Sequence, residues 1–151
     1  MVQITVTKPV KHVDADTLWN KLAVYSDFSW HPQVESSVND GSIPDGSDNM
    51  VGAVRVLVNT SGAELTETVQ EWSNSKRYQT FSIDKGAPPF AKSLMITFQV
   101  REDESSGKVL VDMIVNLEVK APFCILAPLL SVVLKKKLGP FVDGIANYKK
   151  Q

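Results

Sequence analysis

Cysteine occurs once, at Cys124, so the chain has no intrachain disulfide and no cluster of thiolate metal ligands. Histidine is nearly as scarce. His12 and His31 stand apart with no carboxylate motif beside them, so no metal site is expected. There is no glycine-rich phosphate loop and no Ser-His-Asp or Cys-His spacing for nucleophilic catalysis. Sixteen Lys+Arg against seventeen Asp+Glu leave a net charge of -1, which provides no general positive field to gather nucleic acid. The longest near-apolar run, residues 121–134, is shorter than the ~20 residues of a membrane-spanning helix and contains Pro128. Residues 1–5 alternate in polarity and show neither a basic nor an apolar leader segment. No signal peptide is therefore expected, and the cytoplasm is the expected compartment.

What is present is ordinary for a folded domain. The chain has 151 residues, 43% of them hydrophobic. A chain of that size can bury roughly 70% of its unfolded surface, and a single domain over 1–151 is expected. Val2, Ile4 and Val6 alternate with Gln3, Thr5 and Thr7 as in a half-buried strand, and Pro9 places that strand at an edge or bulge. Asp14-Ala15-Asp16-Thr17 supplies the cap and acidic first turn of a helix, along which Leu18, Trp19, Leu22 and Tyr25 recur at helical spacing. A second short helical turn is predicted over 28–31, stopped by Pro32.

Strand-like runs follow at 34–38, 51–58, 65–72, 78–83, 94–100 and 109–119, with Asn59-Thr60-Ser61-Gly62 as a hairpin turn. From Leu126 the pattern changes. Leu130, Leu134, Leu138, Phe141, Ile145 and Tyr148 follow at steps of three or four, marking one long helix. Pro128 suits its first turn, while Gly139-Pro140 predicts a kink or local opening inside it. The order predicts an α+β fold. A seven-stranded curved antiparallel sheet, with two short helices, would carry a long C-terminal helix across its concave face. A curved sheet does not close tightly on a straight helix, so a cavity between them is expected.

Several strings in this order resemble the START-like, helix-grip (SRPBCC) superfamily, in its polyketide cyclase/dehydrase and lipid-transport-like branch. They are Val13-Asp14-Ala15-Asp16-Thr17-Leu18-Trp19, Phe28-Ser29-Trp30-His31-Pro32, Val51-Gly52-Ala53-Val54-Arg55, Leu65-Thr66-Glu67-Thr68-Val69 and Arg77-Tyr78-Gln79-Thr80-Phe81-Ser82-Ile83. The resemblance covers essentially the whole chain. It implies a pocket for a small hydrophobic molecule (a lipid, polyketide or isoprenoid) but no particular reaction, because one fold hosts carriers, receptors and enzymes. Plant abscisic-acid receptors share part of the pattern. Their serine-glycine-leucine-proline gate is absent from residues 59–63, so a gated hormone receptor is not expected.

The candidate site residues follow from chemistry and position. His31, at the helix-to-strand junction, is a candidate proton-transfer group, against a plain role in packing and ending the turn. In a hairpin turning at 59–62, pairing keeps the residue sum near 121–122, so Arg55 falls opposite Glu67 or Thr66. An inward Arg55–Glu67 pair would orient a polar group on an apolar ligand; an outward one would be a surface ion pair. Glu67 is the second candidate for proton transfer. Tyr78, Glu71 and Asp112 are further polar residues that could face inward. Trp30, Phe90, Leu130, Leu134 and Phe141 are the expected apolar contacts, with 86–90 as an entrance loop. An aromatase/cyclase-type enzyme is the alternative to a carrier or sensor. Neither requires a metal or organic cofactor. Residues 121–134 followed by Lys135-Lys136-Lys137 admit contact with a membrane surface, but a core helix with exposed lysines is the favoured reading. The oligomeric state is open.

Overall fold

The computed structural model describes residues 1–147. Tyr148, the last position of the predicted apolar stripe, lies outside the described residues. The strands are β1 (Val2–Val10), β2 (Val34–Asn39), β3 (Val54–Asn59), β4 (Glu64–Ser73), β5 (Tyr78–Lys85), β6 (Ala91–Glu102) and β7 (Val109–Val119). They form a seven-stranded antiparallel sheet in the order β1-β7-β6-β5-β4-β3-β2. β2 to β7 are a meander, while β1 joins the far edge beside β7. The chain from β1 to β2 therefore has to cross the whole sheet, and α1 (Ala15–Leu22) lies on that crossing. Pro9 sits in the edge strand β1, opposite Leu110, where its missing N–H breaks no inner ladder.

Asp14 caps α1, accepting from the Thr17 backbone N–H at 2.8 Å, and Ala15, Leu18, Trp19 and Leu22 form its buried face. The second short helix predicted over 28–31 is a turn. A single bond from His31 N–H to the Phe28 carbonyl (3.0 Å) closes it, since Pro32 prevents continuation. β3 starts at Val54, later than predicted. Met50 to Gly52 form a turn instead, closed by the Ala53 N–H on the Met50 carbonyl, with Gly52 at φ +92°. The hairpin between β3 and β4 turns where expected, with the Asn59 side chain accepting from the N–H groups of Ser61 and Ala63.

Bulges in β2, β4, β5 and β6 bend the sheet, and its concave face collects the alternate apolar residues of every strand but β2. Helix α2 (Ala127–Ala146), entered through a 3-10 turn at Phe123–Leu126, packs against β1 and β7 and buries Val142 and Ile145. Gly144 is needed here. A Cβ at this position would lie 2.7 Å from the Trp30 carbonyl oxygen, so only glycine lets α2 approach the 28–31 turn this closely. Pro140 does not open the helix, which is unbroken from Ala127 to Ala146. Pro140 is exposed, so water can reach the carbonyl that its missing N–H leaves free. Among the described residues no helix is long and apolar enough to cross a membrane.

Candidate functional site

Three features lie in series along the concave face. The first is a small cleft of about 60 Å3 between α2 and the sheet. Leu134 and Leu138 line it from α2, Leu94 and Ile96 from β6, and Val115 and Leu117 from β7. Pro88 and Phe90, from the loop joining β5 to β6, close its end. Every lining residue is apolar, so the cleft has no hydrogen bond to offer and favours hydrocarbon. At this size it holds only a handful of water-sized groups, far less than the ~300 Å3 of a small-ligand pocket. The loop's conformation depends on Gly86, at φ +84°, where a Cβ would stand 2.3 Å from the Glu64 carbonyl oxygen.

The second feature is an aromatic plug. Phe141 lies one turn along α2 from Leu138, and Phe98 lies two residues along β6 from Ile96, so the plug adjoins the cleft. Phe141 contacts Phe28, Trp30, His31 and Phe98, with ring centroids 3.8 Å apart for His31 and 5.8–6.4 Å for the others. His31 is buried, and its Nδ1 accepts the Gln33 backbone N–H at 3.1 Å. The neutral ring therefore carries its proton on Nε2, which is buried without a hydrogen-bond partner. Burial among apolar rings pushes the imidazole pKa down to about 4, so His31 is neutral near pH 7.

The third feature is the Arg55–Glu67 pair. The two residues face each other across β3 and β4, and both side chains are buried. Arg55 Nε donates to Glu67 Oε2 at 2.9 Å, Nη2 donates to the same oxygen, and Nη1 donates to the Tyr25 carbonyl at 3.0 Å. The guanidinium carbon lies 4.1 Å from the Tyr25 ring centroid, 4.5 Å from Phe28 and 5.2 Å from Phe81. Aromatic faces and a carboxylate thus replace water around the cation. Burial raises the Glu67 carboxyl above its ordinary pKa, against the opposing pull of Arg55. Tyr25 belongs to a small second core with Met50, Ala53 and Val69, and Phe81 belongs to the main core. The pair therefore joins two apolar clusters.

The structure brings Trp30, His31 and Phe141 together in the plug, and Phe90 and Leu134 together at the cleft. Arg55 and Glu67 are in contact and touch the plug through Phe28. Leu130 is half-buried on α2 and is not among the residues lining the cleft. Tyr78 is separate from all of these. It alternates with Gln79 and Phe81 along β5, so it points from the opposite, convex face. Asp112 likewise alternates with the core residues Val111 and Met113, and it binds Thr7 and Arg101; Glu71 is exposed. Among the described residues no three His, Cys, Asp or Glu side chains gather as metal ligands would.

Sequence reasoning missed Leu94, Ile96, Val115 and Leu117. Their strand alternation marks them as inward but does not show which inward positions border empty space. It also missed Phe28 and Tyr25 as partners of Arg55: a place in a resembling string and a helical spacing do not show which side chain they will flank.

No protein-family model matches the sequence, and no curated protein does. Solved structures match over almost the whole chain. A protein from Nitrosospira multiformis superposes with a TM-score of 0.75 at 17% identity, covering 95% of this chain and 93% of that one. The di-domain ARO/CYC BexL, from the BE-7585A biosynthetic pathway, gives 0.76 at 11% identity over 97% of this chain and 45% of its own. A START superfamily protein from Mycobacterium smegmatis gives 0.66 at 12% identity, over 97% and 95%. At these identities the likeness establishes the fold, and the fold is the helix-grip fold of START-like proteins.

Proposed function

We propose that the protein binds a small hydrophobic molecule of lipid, polyketide or isoprenoid type between α2 and the sheet, as a carrier or sensor. The observation that carries this reading is the wholly apolar cleft, bounded on one side by a single helix and at its end by a loop. The existing void takes the tip of an acyl or isoprenoid chain. Admitting the rest requires the neighbouring plug side chains, chiefly Trp30 and Phe141, to turn aside. Affinity then comes from buried apolar area, and at about 25 cal/mol per Å2 some 300 Å2 contributes roughly 7 kcal/mol before association costs. The proposed compartment is the cytoplasm, where the exposed thiol of Cys124 stays reduced.

Native mass spectrometry of freshly purified protein tests the reading. The expected result is a population carrying extra mass that solvent extraction returns as a lipophilic compound. A bare chain mass, together with no saturable uptake of a long-chain fatty acid, would overturn it.

One observation favours a second reading, a cyclase-type enzyme: the unpartnered, buried Nε2–H of His31. With Nδ1 occupied and the pKa low, His31 is suited to donate a hydrogen bond to a ligand carbonyl and ill suited to act as a base at neutral pH. Glu67 would then have to be the proton acceptor, in competition with its bond to Arg55. In this reading turnover of a polyketide-like substrate collapses in Glu67→Gln while binding persists. In the carrier reading no turnover exists to lose.

A further inference from the structure

Helix α2 is apolar on two opposite sides. Leu134, Leu138, Phe141 and Ile145 face the sheet or its core. Leu129, Val132 and Val133 lie on the other side of the helix at 100° per residue, and they are exposed. The preceding 3-10 turn extends the same surface with Phe123, Ile125 and Leu126. Ile125 is 86% exposed, Val132 67% and Leu129 61%, so the sequence-based expectation that this stretch would be consumed by the core fails for half the helix. A sheet can cover only one side of a helix, and the other side here is apolar too.

The charges along this segment have one sign. Between Glu118 and Asp143 there is no acidic residue, while Lys120, Lys135, Lys136 and Lys137 all fall in that interval and are exposed. Lys136 continues the outward stripe of Leu129, Val132 and Val133, and Lys135 and Lys137 flank it. No ion pair to Lys135, Lys136 or Lys137 occurs among the described residues. The patch is also tied to the cleft. The Lys120 N–H donates to the Phe90 carbonyl at 2.9 Å and its Nζ donates to the Pro89 carbonyl at 3.0 Å, which fixes the end loop against the start of the apolar surface.

We infer that this surface docks on an anionic lipid bilayer, with the 3-10 turn and the outer side of the first half of α2 entering the headgroup boundary and Lys135 to Lys137 meeting the lipid phosphates. Exposed apolar side chains rimmed by cations of one sign match a negatively charged, oily interface. A second copy of this chain would instead set the like-charged lysine clusters near each other across a two-fold contact. The inference stands on the exposed surface alone and does not depend on the ligand-binding reading, since vesicle binding is measured without any cargo.

The test is co-sedimentation of the full chain with vesicles of phosphatidylcholine alone and with a fraction of phosphatidylglycerol. Wild type should bind the anionic vesicles, bind the neutral ones at least about 10-fold more weakly, and be released by high salt. Replacing the three lysines together (K135Q, K136Q, K137Q) should lower partitioning on the order of 100-fold. The triple variant I125S, L129S, V132S should lose binding with its unfolding midpoint unchanged, because those side chains are already in water. If the serine variant folds poorly, the lysine variant decides alone. Two results would overturn the inference. One is wild type that binds neither kind of vesicle, or binds both equally. The other is a wild-type dimer that the serine substitutions render monomeric, without vesicle binding in either.

Discussion

The two ends of the concave face solve the same packing problem differently. At the β6–β7 end, beneath the middle of α2, a small cleft is left empty and its lining is entirely apolar. At the β3–β4 end a guanidinium and a carboxylate fill the interior, enclosed by Tyr25, Phe28 and Phe81. An apolar wall can lose contact with its neighbour and later regain it at modest cost. A buried ion pair cannot, because separating it strands a charge away from water. The contrast assigns adaptability to one end and rigidity to the other, with the Phe141–His31 plug between them.

The comparison breaks most severely at the rigid end. Arg55→Met or Glu67→Leu alone should destabilise the fold by about 3–5 kcal/mol, since each leaves the partner buried without its counter-group. The double variant Arg55→Met with Glu67→Leu should recover most of that loss, measurable by urea unfolding of all four proteins as a double-mutant cycle. Additive losses would show that the pair does not act as a unit.

The plug should respond to acid. The folded-state pKa of His31, about 4, lies below its ordinary 6.5. As pH falls through 6.5 the unfolded chain takes up the proton first, and stability is lost progressively until about pH 4. Between about pH 7 and pH 4.5 this single group should remove about 2–3 kcal/mol. The His31→Gln variant should lose less stability than wild type over the same interval by that amount; equal losses would show that the imidazole is not desolvated.

At the loop, Gly86→Ala should cost about 2 kcal/mol, because the new Cβ meets the Glu64 carbonyl at a positive φ. Thermal unfolding measures it, and an unchanged midpoint would contradict the close approach. The smallest effect on stability belongs to the cleft. Leu138→Phe should fill it, changing stability by about 1 kcal/mol or less while lowering fatty-acid affinity at least ~10-fold. Undiminished affinity would place the ligand elsewhere.

The sequence made some of this arrangement legible, and physics explains which part. Strand periodicity and turn chemistry are local, so the hairpin at Asn59 to Gly62 sets Arg55 opposite Glu67 or Thr66 and Pro9 sets β1 at an edge or a bulge; the folded sheet selects Glu67 and the edge. The crossing segment was harder. Phe28 to His31 looks helical because caps and a terminating proline frame it, yet four residues make only one turn. Tyr78 is a candidate by its chemistry alone, whereas its parity, opposite to that of Phe81, puts it on the convex face. The outer side of α2 was misread for a similar reason. A helix apolar on two opposite sides does not announce which side the sheet will cover, and the exposure of Leu129 and Val132 emerges only from tertiary packing.

The most direct measurement is a methyl NMR titration of the folded protein with a long-chain fatty acid. Saturable one-to-one shifts are expected at Leu94, Ile96, Val115, Leu134 and Leu138, with Val69 and Leu57 at the rigid end unmoved. Saturation with shifts centred at the rigid end, or no saturable shifts at all, would contradict the account.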